Sequence, residues 1–178
     1  MKTRLVRPSV ALALLVLLVG LAGCGYGLVG RGSNIPPDIH SVYLQPLENR
    51  TGRTQVEQFL TRAIADELVT RQRFAVIAST TGADAQISGA VLAFGATPVT
   101  FDNTGRATEY EISITAQVLF KRLDKEQHVL WKNDHYLFRE SYPVTVSGTG
   151  YIDLENTALE SASKKFAQTM VSDLLEGF

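Results

Sequence analysis

The most apolar part of the chain is its first segment. Val10 to Leu21 form an almost uninterrupted apolar run, and Lys2, Arg4 and Arg7 place positive charge before it. A basic start followed by a short apolar run is typical of a secretory signal peptide. A helix needs about 20 apolar residues to span a bilayer, so a retained transmembrane helix is the weaker interpretation. We therefore expect residues 1–23 to be a signal peptide.

Strict alternation of apolar and polar residues marks the middle of the chain. From Glu109 to Lys121, one face carries Tyr110, Ile112, Ile114, Ala116, Val118 and Phe120. This period of two predicts a strand in a sheet that is packed on one face and hydrated on the other. Shorter patterns predict further strands at 41–45, 74–77, 85–94 and 129–142. Within the third of these, Gly89 and Gly95 are expected to mark a bulge or a bend.

Two segments carry the three- and four-residue spacing of an amphipathic helix. The apolar stripe of the first consists of Val56, Phe59, Leu60, Ala63, Ile64 and Leu68. Thr54 and Glu57 form a capping-box pattern, which predicts a helix start at Thr54. The stripe of the second consists of Leu154, Ala158, Ala162, Phe166, Met170 and Leu174. Asp153 is expected to cap its start and Gly177 to end it.

The order of these elements predicts an α+β fold. A strand-helix-strand opening favours two parallel strands joined by a right-handed crossover. Short loops between the later strands favour antiparallel hairpins. Two helices are enough to cover one face of a sheet. We therefore expect a two-layer sandwich with both helices packed on one face of a mixed four- to five-stranded sheet.

The single cysteine, Cys24, follows directly after the apolar segment. The preceding Leu-Ala-Gly provides the small residues that bacterial lipoprotein processing requires for cleavage and diacylglycerol attachment. One free thiol in an exported protein would be a liability, whereas a thioether is not. We expect Cys24 to be the lipidated first residue of the mature protein. A flexible tether over residues 24–37 and a single α+β domain over 38–178 would follow.

The charge of the mature chain argues against a nucleic-acid partner. Loss of Lys2, Arg4 and Arg7 with the signal peptide leaves 14 basic and 18 acidic residues, a formal charge of −4. Proteins that bind nucleic acid present a basic surface to the phosphates. We therefore expect no nucleic-acid partner, and attachment to a membrane through the lipid anchor.

The sequence contains no convincing catalytic or metal-binding pattern. His40, His128 and His135 stand on separate segments without the spacing of a metal site. Glu109 and Glu111 would lie roughly 6 to 7 Å apart on one strand face, near the separation of a glycosidase carboxylate pair. The same face continues with serine, threonine and glutamine, so a solvated sheet face is the simpler interpretation. We expect neither an enzyme nor a cofactor.

One group of basic residues is a candidate for binding an anionic lipid. Arg106, Lys121 and Arg122, with Lys125 and Lys132, stand around the ends of the two longest predicted strands and their hairpin. Most such residues are simply solvated surface. If the protein meets an anionic glycolipid, they are the best candidates for charge-assisted hydrogen bonds to its phosphates.

Several short segments together resemble the LptE family, the lipopolysaccharide (LPS) assembly lipoproteins of the outer membrane. The segments are Cys24-Gly25-Tyr26 with Gly27-Leu28, Ile35-Pro36, Val42 to Leu44, Leu60 with Glu67-Leu68, Ala83-Asp84-Ala85, Arg106 to Tyr110, and Leu130-Trp131. None of them is specific alone. Their order and spacing carry the resemblance, which extends over nearly the whole mature chain.

The resemblance implies a partner and a task. Family members bind the large β-barrel subunit of the LPS translocon, which is of the LptD type, and sit as a plug inside its lumen. They help it assemble and contact LPS on its way to the outer leaflet. The residue after the lipid site is Gly25 and not the aspartate that usually retains lipoproteins at the inner membrane, so we expect the outer membrane.

Two alternatives stay open at this point. The chain could be an envelope lipoprotein that binds a small amphiphile in its own cavity, or one that scaffolds another envelope complex. A cavity would need a hollow apolar interior. Bulky residues such as Phe59, Phe94, Phe120 and Phe166 are numerous enough to fill a two-layer core, so we rank partner binding above cavity binding.

Overall fold

The computed structural model describes residues 35–143 and 151–177 and, within its last helix, the side chains from Asn156 onward. The expected signal peptide, the lipidation site at Cys24 and most of the tether lie outside these residues. So does the segment that precedes the last helix. The described residues share one hydrophobic core.

Within residues 35–143 and 151–177, six strands and two helices make up the fold. They are β1 (Ser41–Leu44), β2 (Glu48–Asn49), α1 (Val56–Arg71), β3 (Ala75–Ile77), β4 (Ala85–Phe101), β5 (Ala107–Arg122), β6 (Val129–Pro143) and α2 (Tyr151–Glu176). The main path of the sheet has the order β3-β1-β4-β5-β6. β1 is parallel to both of its neighbours, whereas β4, β5 and β6 pair antiparallel.

The predicted fold class is confirmed, and the sheet has one more strand than expected. The first two predicted strands, β1 and β3, are parallel as their crossover connection implies. The additional strand is β2, which pairs with β4 just beyond β1. With two residues, β2 is too short to produce an alternating pattern in the sequence. The architecture is a two-layer α+β sandwich with a mixed sheet.

The alternation of β5 divides the sheet into a packed face and an open face. Ile112, Ile114, Ala116, Val118 and Phe120 are fully buried. The residues between them are half-exposed. Burial of each large apolar side chain contributes roughly 1.5 to 3 kcal/mol, so this strand is a main source of stability. Its predicted faces are confirmed.

Helix α1 packs on the sheet through Val56, Leu60, Ile64 and Leu68, which are all buried. The predicted capping box is wrong. The residue before the helix is Gln55, with a left-handed backbone (φ 69°) and no side-chain cap. The Glu57 carboxylate instead accepts a hydrogen bond from the Asn49 side chain at 2.7 Å. Glu57 thus bonds to Asn49 of β2 and not to the backbone N–H of Thr54.

Helix α2 buries the stripe that its sequence predicts, from Ala158 to Leu174 at every fourth residue. The helix begins at Tyr151, so Asp153 lies inside it and is not its cap. Its predicted end is confirmed. Gly177 has a φ of 80°, and its N–H donates to the Asp173 carbonyl at 2.8 Å.

The two helices lie side by side and run in the same direction. Arg53, just before α1, donates to Asn156 near the start of α2 at 3.0 Å. Arg71, at the end of α1, donates to Ser172 near the end of α2 at 2.7 Å. Between these contacts Ser163 is buried, and a small side chain there allows close approach of the helices.

The glycines of β4 do not play the predicted part. The irregularities in the pairing of β4 with β5 fall between Val91 and Ala93, between Pro98 and Thr100, and between Thr100 and Phe101, not at Gly89 or Gly95. Gly89 is required for a different reason, because a Cβ at this position would lie 2.2 Å from the carbonyl oxygen of Gln117. The glycine therefore permits close backbone approach inside the sheet.

The folded core begins slightly before the expected domain boundary. Ile35 and Ile39 are buried among the core residues, and the N–H of Ile39 donates to the Pro36 carbonyl at 3.2 Å. The last residues of the expected tether are therefore part of the packed structure.

Candidate functional site

The open face of the sheet is polar and lies opposite the helices. Its residues alternate with the buried ones along three neighbouring strands. The polar members are Gln86, Ser88, Glu111, Ser113, Thr115, Gln117, Lys121, Lys132, Arg139 and Ser141. Leu119 and Leu137 are apolar members of the same face. Such a surface can meet a polar wall without exposing a large apolar area.

Hydrogen bonds between neighbouring strands fix several side chains of the open face. Gln117 on β5 donates to Asp134 on β6 at 3.2 Å, and Lys132 approaches the same carboxylate at 2.8 Å. The bond from Lys132 is the largest cause that holds the pKa of Asp134 below its usual value. Gln86 on β4 donates to Gln45 at 2.6 Å. The open face is therefore ordered across the sheet.

Arg122 stands at the end of β5 and is already paired. Its guanidinium donates to both oxygens of Asp38 at 2.8 and 2.7 Å, and Asp124 lies 3.8 Å away. Lys121 donates to the neutral side chain of Gln127 at 3.0 Å. The charge of Arg122 is thus compensated by carboxylates, whereas that of Lys121 is not.

Asp84 anchors the beginning of the domain at this same end. One of its carboxylate oxygens accepts hydrogen bonds from the backbone N–H of His40 at 2.9 Å, the N–H of Ser41 at 2.8 Å and the Ser41 hydroxyl at 2.8 Å. These bonds, the one from His40 first, lower the pKa of Asp84. We call Asp38, Asp84, Arg122 and Asp124 the basal cluster; they line a shallow pocket of about 200 Å³.

Sequence reasoning does not identify the basal cluster as a unit. Its members come from three separate segments, and Arg122 lies 84 residues from Asp38. Three carboxylates around one arginine make the basal cluster acidic, so the cluster is a poor site for a phosphate. The only sign of this cluster in the sequence is Asp84, an acidic residue directly before the predicted strand 85–94.

Arg106 lies at the opposite end of the sheet, in the turn between β4 and β5. The Asp102 carboxylate orders this turn by accepting from the Thr104 hydroxyl at 2.6 Å, the Thr104 N–H at 2.8 Å and the Arg106 N–H at 3.0 Å. The Thr104 hydroxyl is the largest cause that lowers the pKa of Asp102. Gly105 adopts a φ of 79°, which the turn requires.

The predicted basic cluster is therefore divided. Arg106 and Lys121 stand 15 positions apart in one extended strand, which places them about 50 Å from each other. Each of them stands near a hairpin in the sequence, and the sequence alone therefore suggests that they lie close together in space. The long β5 strand carries them to opposite ends, so Arg106, Lys121 and Arg122 do not form one surface.

Two exposed apolar side chains accompany Arg106. Val99 and Phe101, near the end of β4, are 47% and 57% exposed. Behind them, Thr100 donates to Glu109 at 2.8 Å, and the stacked rings of Tyr110 and Tyr142 lie 6.0 Å apart. We call residues 99–106 the hairpin tip. It joins an apolar surface to the exposed cation of Arg106, whose charge also acts on the Asp102 carboxylate of the same turn.

Large side chains fill the core of the described residues. Phe120, Phe166 and Met170 are fully buried there. One depression, of about 450 Å³, is an open groove between the helices, lined by Phe59, Ala63 and six polar or charged residues. The amphiphile-binding alternative gains no support from the described residues.

The candidate carboxylates Glu109 and Glu111 each contact a residue of a neighbouring strand. Glu109 is hydrogen-bonded to Thr100, and Glu111 lies 4.0 Å from Arg139. Within residues 35–143 and 151–177 no group of three acidic, histidine or cysteine side chains is placed to hold a metal ion. Neither described helix combines the length and apolar character that a bilayer span requires.

The fold and these surfaces define a small two-layer α+β domain with one packed and one polar sheet face. The sequence then gives the family, because the model of the family described as "LptE: Lipopolysaccharide-assembly" matches residues 39–174. The chain belongs to this family of non-enzymatic envelope lipoproteins, whose members partner LptD-type proteins in LPS transport. No curated protein sequence matches the chain.

Solved structures agree with the fold. A hypothetical protein from Chlamydia trachomatis has a TM-score of 0.54 at 12% identity, covering 78% of this chain and 96% of its own. A protein from Xanthomonas campestris has a TM-score of 0.55 at 12% identity, covering 80% and 87%. The rare lipoprotein B of Shewanella oneidensis has a TM-score of 0.44 at 12% identity, covering 76% and 92%. At these identities the first two similarities show the fold alone.

Proposed function

We propose that this protein is an outer-membrane lipoprotein, anchored through Cys24 and facing the periplasm, that binds and plugs the β-barrel subunit of the LPS translocon. In that position it assists the assembly of the barrel and the delivery of LPS to the outer leaflet. Membership of the LptE family supports this task. The observation in the structure that carries it is the ordered, polar open face of the sheet.

A polar open face suits the interior of a large barrel. Barrels with a water-filled or plugged lumen present polar side chains inward. The five strands of the main path, spaced about 4.8 Å apart, give the sheet a width of roughly 20 Å. A lumen of that size requires many strands, since about sixteen or more are needed to leave an aqueous channel. We therefore place the open face against the lumen wall.

The proposed LPS contact rests mainly on Arg106. This residue is exposed at the hairpin tip beside Val99 and Phe101, so phosphate and acyl chain could be met together. Lys121 keeps an uncompensated charge and stays within the proposal. Arg122 is the weakest of the three, because Asp38 already occupies its donors.

Co-purification tests the barrel interaction. Tagged full-length protein is recovered from envelope membranes, and the yield of a large β-barrel protein is measured for wild type, Thr115→Lys and Ser88→Lys on the open face. Gln168→Lys, at an exposed position of α2, is the control. We expect stoichiometric recovery with wild type and control and a marked loss with both open-face variants. Equal recovery with all four proteins would refute the orientation, and no barrel with wild type would refute the function.

The anchor has a separate test. Cys24→Ala should abolish incorporation of radioactive palmitate, because no other cysteine is present to accept a diacylglycerol. The described core lies beyond residue 34 and does not depend on the lipid. The variant should therefore show the thermal unfolding of the wild-type domain. Palmitate incorporation equal to wild type would contradict the assignment of Cys24.

A further inference from the structure

The outer edge of β6 has no strand beside it in the described part of the chain, because β6 is the last strand of the sheet order. It is fifteen residues long, whereas β3 at the other edge has three. An edge strand presents a row of backbone N–H and C=O groups that can pair with another polypeptide. Proteins usually blunt such edges with bulges, charges or proline.

The first half of β6 is blunted in this way. Its pairing with β5 is irregular near Leu130 and again between Asn133 and Tyr136. The backbone N–H of His135 is taken up by the Asn133 side chain at 3.0 Å. Lys132 adds charge to the same stretch. An incoming strand would find neither a regular ladder nor a free donor at His135.

The second half, residues 136–141, has no irregular pairing and no described side chain bonded to its backbone, although it carries the charged Arg139 and Glu140. It pairs with β5 without interruption, and no hydrogen bond to its outer edge occurs among the described residues. Leu137 is 53% exposed. Arg139 is exposed too, and the nearest carboxylate, that of Glu111, lies 4.0 Å from it. We call residues 136–141 the open edge. One strand is thus blunted in one half and regular in the other.

We propose that the open edge receives an extended segment of the β-barrel partner as an additional strand. This inference rests on the proposed function and adds a point of attachment to it. The open edge is continuous with the open face, since Leu137, Arg139 and Ser141 project from that face beside their β5 neighbours. A closed barrel wall has no free strand edge. The added strand therefore comes from a loop or from a segment outside the wall.

The side chains of the open edge specify the segment. Leu137 favours an apolar neighbour, and Arg139 favours a carboxylate. On the helix side, Glu140 is already paired with Lys165 and calls for no further partner. The matching segment has an apolar and an acidic residue two positions apart on one face and no proline between them.

A second copy of this chain is a poorer occupant. When two copies of one strand pair antiparallel about a two-fold axis, the residue on the axis lies opposite itself. The position of that residue sets the partner of every other residue. Registers centred on Arg139 or Glu140 stack like charges, and one centred on Phe138 sets Leu137 opposite Arg139, so none of them gives both residues their preferred neighbours. Like charges directly opposite each other are destabilising.

Leu137→Lys and Val69→Lys form a matched pair for testing the open edge. Both wild-type residues are exposed apolar side chains, 53% and 60% exposed, but Val69 lies on helix α1, on the other side of the sheet. The full-length variants are compared in barrel co-purification. A strand-pairing site predicts that Leu137→Lys lowers barrel recovery by at least about tenfold, a change of one decade in affinity. Val69→Lys should leave recovery unchanged.

Hydrogen exchange supplies a readout that reports on the backbone itself. In the complex with the barrel, alternate amides of residues 136–141 should gain protection relative to the protein alone. Amides in the blunted half should not change. This pattern distinguishes strand addition from a contact made by the Leu137 side chain alone.

The outcomes separate the two proposals. Failure of the wild-type protein to recover a barrel would overturn the proposed function. Equal recovery by both variants, without protection of the open edge, would overturn the added strand and leave the proposed function intact. Protection that appears without the barrel and rises with protein concentration would identify a second copy as the occupant, which also overturns the proposal.

Discussion

Tyr136 on β6 donates its phenolic hydrogen to the Asp173 carboxylate on α2, with 2.5 Å between the two oxygens. Its ring also packs edge-on against Phe166 of the same helix at 5.5 Å. Burial, followed by the hydrogen bond and the charge of Asp173, raises the pKa of the phenol. One side chain thus joins sheet and helix through both a polar and an aromatic contact.

Replacing Tyr136 by phenylalanine should keep the ring packing and remove the donor. We expect the free energy of unfolding to fall by about 1 to 2 kcal/mol, because Asp173 loses its partner in a partly buried position. Chemical denaturation of the purified protein measures this. Tyr43→Phe, at a half-exposed position of β1, is the control and should be neutral. Equal effects of the two changes would show that the Tyr136–Asp173 bond contributes nothing.

The same pair gives a pH dependence. The folded-state pKa of Tyr136 lies above the unfolded value of about 10. Its contribution is therefore complete below pH ~10 and is lost as pH rises further, because the unfolded state gives up the proton first. Stability between about pH 9 and 11 should fall more steeply in wild type than in Tyr136→Phe. Parallel curves would contradict the raised pKa.

Asp84 should stabilise the attachment of the first strand. Asp84→Ala removes the acceptor of three hydrogen bonds to His40 and Ser41 and should cost about 1 to 3 kcal/mol. Asp84→Asn should cost less, because an amide oxygen still accepts. Since the folded-state pKa is lowered, the contribution is present above the unfolded value of 3.8 and is lost as pH falls below it. Acid unfolding of the three proteins checks both the order and the sign.

Two glycines provide a steric test. Gly89→Ala would bring a methyl group 2.2 Å from the Gln117 carbonyl, whereas Gly52→Ala meets no atom within 4 Å. We expect Gly89→Ala to destabilise by about 1 to 3 kcal/mol through backbone displacement in the sheet. Gly52→Ala should be neutral. Similar melting temperatures for the two variants would mean that β4 and β5 adapt freely.

The packed layer can be probed from both sides. Ile114→Ala and Phe166→Ala remove fully buried side chains from sheet and helix, and each should destabilise by about 2 to 5 kcal/mol. Thr115→Ala, the neighbour on the open face, should change stability by well under about 1 kcal/mol. Thermal melts distinguish the two faces. A larger loss of stability in Thr115→Ala than in Ile114→Ala would mean that the packed and open faces are assigned the wrong way round.

The hairpin tip has its own binding test. Arg106→Glu should weaken LPS binding, because each charge-assisted bond to phosphate contributes roughly 1.5 to 3 kcal/mol when shielded. Lys125→Glu, an exposed substitution at the opposite end of the sheet, is the matched control. Binding of purified protein to LPS is measured at low and high salt, since salt screens a charge contact. Undiminished binding by Arg106→Glu would remove this residue from the proposed contact.

Regular patterns in the sequence predict the middle of the molecule well. In β5 and α2 the apolar residues that recur in the sequence are the residues that are buried, so the pattern predicts the packed face. The Thr54 and Glu57 pattern fails for a tertiary reason, since the Glu57 carboxylate accepts a hydrogen bond from the Asn49 side chain. Hydrogen bonds over long sequence separations leave no periodic signal.

The prediction of one basic site fails for the same reason, since it also depends on contacts between distant segments. Arg106 and Arg122 look alike in the sequence, as basic residues at the ends of one strand. Their surroundings differ because Asp38, 84 residues away, reaches Arg122, whereas the Arg106 side chain extends from an isolated turn. The compensation of a charge depends on the fold around it, and composition does not reveal this.

The position of β1 has a mechanical consequence. The first strand of the described domain is not at an edge, since β3 and β4 flank it on both sides and run parallel to it. A pull along β1, such as the proposed lipid anchor would transmit, would load both ladders in shear, so that their hydrogen bonds resist together and do not open one at a time. The bonds of Asp84 to His40 and Ser41 lie where that load enters the sheet. Such a pull would therefore act on two strand ladders and on the Asp84 bonds at once.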